Sequence, residues 1–254
     1  MPQITDLNNV VDTLLLGGSL VECNGLLHGK TGIAVFFFHH AKHTGNELFE
    51  EYAVELIESV LNNLSLKTPI SYRRGLAGIG SGFEYLSRQG FLEFDCNDVL
   101  EDFDKVIFDA TINGAENDTS LYDGLSGLGR YYLFRIANMT TNNEKIKVIY
   151  SMTMCLVDLI GDLVSKQENE TSVVDALHFL WKVDQLMLSP VKTKPILDRY
   201  SYFLKPDLQN RRQTYDIHDI MKNRRLDLYD GYAGVAMNLI TQQNQNHQIW
   251  TQLL

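Results

Sequence analysis

The chain has 254 residues, 44% of them apolar and 21% charged, enough to bury a sizeable core in one large domain or two small ones. Its 22 basic against 32 acidic side chains leave a net charge of -10, which excludes a nucleic-acid backbone as the main partner and argues against an anionic membrane surface. The longest apolar run is the six residues from Ile33 to Phe38, and the three cysteines, Cys23, Cys96 and Cys155, are too scattered for a disulfide framework or a zinc knuckle.

The first residues are uncharged and then acidic at Asp6, without a basic n-region, so a cytoplasmic location is expected. Ile4 to Leu16 reads as a first amphipathic helix. Next comes Leu27-His28-Gly29-Lys30-Thr31-Gly32-Ile33-Ala34, which leads into a segment apolar nearly all round and therefore a helix buried on most faces. That helix ends in His39-His40-Ala-Lys-His43. His39 and His43 share a face at i, i+4 in the manner of metal ligands, but no Glu follows His39 as in H-E-x-x-H, and cationic side chains also suit a helix C-terminus. Leu48 to Leu64 is amphipathic, with Leu48, Tyr52, Leu56 and Val60 on one face and Glu50, Glu51, Glu55 and Glu58 on others.

The glycine pattern then returns as Arg73-Arg74-Gly75-Leu76-Ala77-Gly78-Ile79-Gly80, as Tyr122-Asp123-Gly124-Leu125-Ser126-Gly127-Leu128-Gly129, and as Tyr229-Asp230-Gly231-Tyr232-Ala233-Gly234-Val235-Ala236. The leading glycines lie 46, 49 and 107 residues apart, so the double gap predicts an eroded copy near its middle, at Val174-Asp175-Ala176. Asn97 to Ile112 and Asn143 to Lys166 read as further amphipathic helices, whereas Val191 to Arg225, with Pro195, Pro206 and a local excess of arginine, reads as irregular. No strand-period alternation intervenes. The expectation is an all-α chain of ten helices, one repeat domain over residues 1–254, in which five outer and inner helix pairs form a curved or toroidal α/α assembly. Gly29, Gly32, Gly75, Gly78, Gly124, Gly127, Gly231 and Gly234 read as architectural, letting backbones approach at each entry into an inner helix.

The repeat places one chosen side chain before each inner helix: His28, Arg74, Asp123, Asp175 and Asp230, with Arg73, Tyr122 and Tyr229 behind them and Tyr232 just after the last. Every member of that first column is ionisable. His28, Arg74, Asp123 and Asp230 are therefore candidates for proton transfer and anion orientation, and Arg73, Tyr122, Asp175, Tyr229 and Tyr232 for substrate contact. The Asp members are equally well read as helix N-caps, a role His28 and Arg74 cannot fill. The cysteines and Trp181, Trp250 and the phenylalanines read as core.

These glycine strings resemble the repeats of the lanthionine synthetase C-like (LanC-like) family, over roughly residues 20 to 245. The resemblance implies an α/α toroid of seven helix pairs in which glycine-rich segments start the inner helices. It also implies an activity, closure of thioether rings on ribosomally made peptides, with zinc activating a cysteine thiolate for addition to a dehydroamino acid. His28-Gly29 looks like the family's His-Gly element, which would make His28 an acid/base group. The family holds zinc with one cysteine and a later Cys-His pair. Here Cys96 precedes Asn97 and Cys155 precedes Leu156, so no such pair exists and neither zinc nor another cofactor is expected. The first reading is thus a shortened member without the metal, binding a substrate or leader peptide, alongside a modifying enzyme or as a homodimer. The alternatives are a carbohydrate-active hydrolase using Asp123 and Asp230, and a zinc cyclase with unusual ligands such as Cys23 and His28.

Overall fold

The computed structural model describes residues 7–65, 67–92, 96–113, 118–138, 144–166, 173–201, 225–243 and 250–254. Among them are ten α-helices and no strand: α1 (Leu7–Gly17), α2 (Lys30–Thr44), α3 (Glu47–Asn62), α4 (Leu76–Arg88), α5 (Cys96–Asn113), α6 (Leu125–Asn138), α7 (Glu144–Lys166), α8 (Val174–Gln185), α9 (Pro190–Arg199) and α10 (Tyr232–Gln243). The all-α class and the alternation of amphipathic with buried helices hold. Local signals set the ends. Asn46 caps α3 by accepting from the Leu48 N–H at 3.1 Å, and Gly45, at φ +69°, terminates α2 in the left-handed conformation that glycine adopts without strain.

Two expectations change. α8 begins at Val174, so Asp175 lies inside its first turn rather than before the helix. The eroded copy has lost its glycines, and Val173 stands before α8 where a glycine precedes the other inner helices. The stretch from Val191, expected to be irregular, opens within α9 and carries Pro195 inside it. Pro190 presets the first turn, Pro195 forfeits only one intrahelical bond, and buried Thr193 ties α9 to α8 by donating to Asp184 at 2.8 Å. The remainder of that stretch, with Pro206, Arg211, Arg212 and Arg224, lies outside the described residues.

The chain forms two compact units. The first holds α1 to α4 and α10. Ile33 through Phe38 of α2 are fully buried, Phe37 meets Phe49 and Tyr52 of α3, and α10 packs against α1 and α2, so the last repeat sits beside the first. The second unit holds α5 to α9. In it α6 packs on α5, α7 and α8, and the fully buried Arg135 of α6 is held by Asp104 at 2.7 Å and Asn97 at 2.9 Å. α7 is long and apolar enough to cross a membrane by length and composition, with a mean hydropathy of 1.6. Its apolar stripe, including Met152, Leu156, Ile160 and Val164, is buried in this unit's core. Trp250 is buried as expected, whereas Cys155 is exposed on α7 and Cys23 half-buried.

All four intact repeats use one junction. The first N–H of each inner helix donates to the carbonyl seven residues earlier: Lys30 to Cys23 at 2.9 Å, Leu76 to Pro69 at 2.8 Å, Leu125 to Asp118 at 2.9 Å and Tyr232 to Arg225 at 2.9 Å. The backbone thereby satisfies an orphan donor that a side-chain cap would otherwise serve. The loop closes so tightly that a Cβ on Gly29 would lie 2.4 Å from the Cys23 oxygen, and one on Gly32 2.1 Å from the Leu26 oxygen. Gly29 is extended at φ -151°, so close approach, not an unusual backbone angle, demands the glycine. Gly124, Gly127 and Gly231 meet the same obstruction, and Gly75, Gly78 and Gly234 are buried at their junctions.

Candidate functional site

In the first unit the junction loops are stitched edge to edge. The Tyr229 N–H donates to the Leu27 oxygen at 3.0 Å, and the Leu27 N–H to the Arg73 oxygen at 3.1 Å, placing the loops of the fifth, first and second repeats in a row. Gly25 permits the last contact, since a Cβ there would stand 2.3 Å from the Arg74 Cα. The residue before each leading glycine is thereby presented at the entrance of the inner helices.

His28 meets the fifth loop. Its Nδ1 lies 3.2 Å from Asp227 Oδ2 and 3.6 Å from Asp230 Oδ1, and its ring stands edge-on to Tyr229 with centroids 5.5 Å apart. Asp227 is held in place by the Asp230 N–H, which donates to its Oδ1 at 3.0 Å. Asp230 points Oδ2 outward to an ion pair with Arg225, while its Oδ1 is buried and has no hydrogen-bond partner. The two carboxylates are pushed apart electrostatically. Burial raises Asp227, but hydrogen bonds from His28 and the Asp230 N–H outweigh it and hold the group below the usual carboxylate range. Asp230 is raised by burial and by the neighbouring Asp227 charge, against the pull of Arg225 and His28. With a proton on Nδ1 donated to Asp227, the His28 ring is oriented with Nε2 left for proton exchange.

Of the expected site residues, His28, Tyr229 and Asp230 come together, Tyr232 opens α10, and Arg73 and the exposed Arg74 occupy the adjacent loop. Tyr122, Asp123 and Asp175 belong to the second unit, where Asp123 is exposed and Asp175 accepts from the Leu121 N–H at 2.9 Å. Asp230 does not cap α10, because glycine occupies the position where a cap would stand and the carboxylate is spent on Arg225. Asp227 and Arg225 were not singled out by the sequence reading. The signal lies in the repeat: where Asp227 stands, the other junctions carry Gly25, Ser71 and Ser120.

On α2, His39 is engaged with α4. His39 Nε2 is 2.6 Å from the Tyr85 hydroxyl, and burial, reinforced by Lys42, lowers His39 to about 4. Among the described side chains, which do not include that of Cys96, no thiolate zinc site of the kind implied by the resemblance is assembled. Cys155 is exposed on α7, and Cys23 Sγ accepts weakly from the Gly25 N–H at 3.5 Å. Among the described residues, the three ligand-type side chains that gather within reach of one ion are His28, Asp227 and Asp230, with no sulfur among them.

No curated protein matches the chain. The family model for lanthionine synthetase C-like protein matches residues 21–182, which takes in the first three junctions, ends within α8 and stops short of the fifth junction. That match spans more than half of the 254 residues, and the chain belongs to the lanthionine synthetase C-like family.

Proposed function

We propose that this protein binds a ribosomally made peptide during its modification, as a peptide-binding accessory rather than as a thiolate-zinc cyclase. One observation carries the reading: the stitched loops of repeats five, one and two gather His28, Tyr229 and Asp230 at the entrance of the inner helices, with Arg74 exposed beside them. Such a row of polar and aromatic side chains on a rigid backbone suits an extended chain, with its amides met by side chains and its apolar groups by the Tyr229 ring. The family match supports peptide modification as the setting. The net charge of -10 favours encounter with a peptide carrying basic residues. No described feature favours the hydrolase reading. That reading would use Asp123 and Asp230 as its acid and base, and these two carboxylates belong to different units.

The test is fluorescence anisotropy with a labelled 20-residue peptide of Ser, Thr, Cys and Lys. Saturable binding with a Kd of about 100 μM or tighter is expected, weakening as salt rises and at least about fivefold in Arg74→Ala and Tyr229→Ala. Absence of saturation at about 1 mM peptide, or affinity unchanged in both variants, contradicts the proposal.

A further inference from the structure

We infer that His28, Asp227 and Asp230 form a binding site for a divalent cation of the Mn2+ or Zn2+ type, held without sulfur. The donor spacing is the first argument. His28 Nδ1 lies 3.2 Å from Asp227 Oδ2 and 3.6 Å from Asp230 Oδ1, and all three ligand atoms fall within 4.8 Å of one another. Neighbouring ligands on an ion with bonds of ~2.1 Å stand about 3.0 Å apart in an octahedron and about 3.4 Å apart in a tetrahedron. The side chains need little rearrangement to close on an ion.

The second argument is the buried Asp230 Oδ1. It has no hydrogen-bond partner, yet it faces His28 Nδ1 beyond hydrogen-bond reach. A buried carboxylate oxygen without a hydrogen bond, left with only the 3.6 Å contact to His28, is costly, and an ion at this place would supply a closer partner. The arrangement is also fixed in advance. Asp227 is held through Oδ1 by the Asp230 N–H, leaving Oδ2 for the ion, and the two loops are joined by the Tyr229 to Leu27 backbone bond at 3.0 Å. Two carboxylate oxygens and one imidazole nitrogen select a hard to borderline dication and disfavour the soft ions that thiolates prefer. With the ion bound, Nδ1 is a ligand instead of a donor to Asp227. Three protein ligands leave coordination positions open, and the Asp230 side chain, 35% exposed, leaves the site reachable from solvent.

This inference stands apart from peptide binding and is tested without peptide. Chelator-treated full-length protein is titrated with Mn2+ by calorimetry, with free Mn2+ followed by electron paramagnetic resonance and Zn2+ as competitor. The expected result is about one ion per chain, with affinity at least about tenfold weaker in His28→Gln and Asp227→Asn and unchanged in Cys23→Ser. Mn2+ should also raise the Tm of the wild type and leave that of Asp230→Asn unmoved. Three outcomes overturn the inference: no saturation below about 1 mM Mn2+, binding lost in Cys23→Ser, or an equal Tm shift in wild type and Asp230→Asn.

Discussion

At the scale of single residues, Gly32 shows how strictly the repeat is enforced. A methyl group there would meet the Leu26 oxygen at 2.1 Å and the Leu228 Cβ at 2.7 Å, both on backbone or at the root of a side chain, where nothing swings away. Gly32→Ala is therefore expected to cost at least about 3 kcal/mol, read as a fall in the urea midpoint. Gly45 gives the contrast. Its positive φ tolerates asparagine and nothing lies within 4 Å of a Cβ, so Gly45→Asn should cost less than about 1 kcal/mol. The architectural role of the glycines was legible because the same close approach recurs at each intact junction. Asp227 was not legible from its own triplet. A carboxylate in a loop is ordinary, and only its departure from Gly25, Ser71 and Ser120 in the same column marks it as facing His28.

At the scale of elements, α2 carries a pH dependence. His39 and His40 are both lowered to about 4, chiefly by burial, with Lys42 adding for the first and His43 for the second. The folded chain keeps them neutral where the unfolded chain, with an ordinary value of 6.5, takes up protons. Stability is thus fully present above about 6.5 and declines as pH falls towards about 4. Thermal melts should show a Tm lower at pH 5 than at pH 7 by on the order of 5 °C, with a smaller drop in His40→Phe, whose ring can stack between Phe36 and Phe49. In the second unit, Asp104→Ala would take the carboxylate from the fully buried Arg135, leaving its charge uncompensated by Asp104, and cost about 3–5 kcal/mol, while replacing both partners by leucine and methionine should recover much of the loss. Helix identity was legible from apolar periodicity almost throughout. The exceptions, the register of α8 and the helix at Pro190–Arg199, are places where tertiary contacts outweighed local signals: Asp175 on the Leu121 N–H and Thr193 on Asp184.

At the scale of the whole molecule, the spacing of the glycine pairs makes the repeat legible, and the lack of strand-period alternation between its helical segments makes the all-α class legible. The pairing of the fifth repeat with the first was not readable in the same way, because about 200 residues separate His28 from Asp227 and they meet through the packing of α10 on α1 and α2 and the backbone bond from Tyr229 to Leu27. The central claim is that a peptide is held at this junction. Hydrogen exchange of the full chain, measured with and without the Ser, Thr, Cys and Lys peptide, tests it most directly. The account predicts added protection in the loops at residues 22–30 and 225–232, with α7 and α9 unchanged. Protection confined to α7 and α9, or none at saturating peptide, would contradict it.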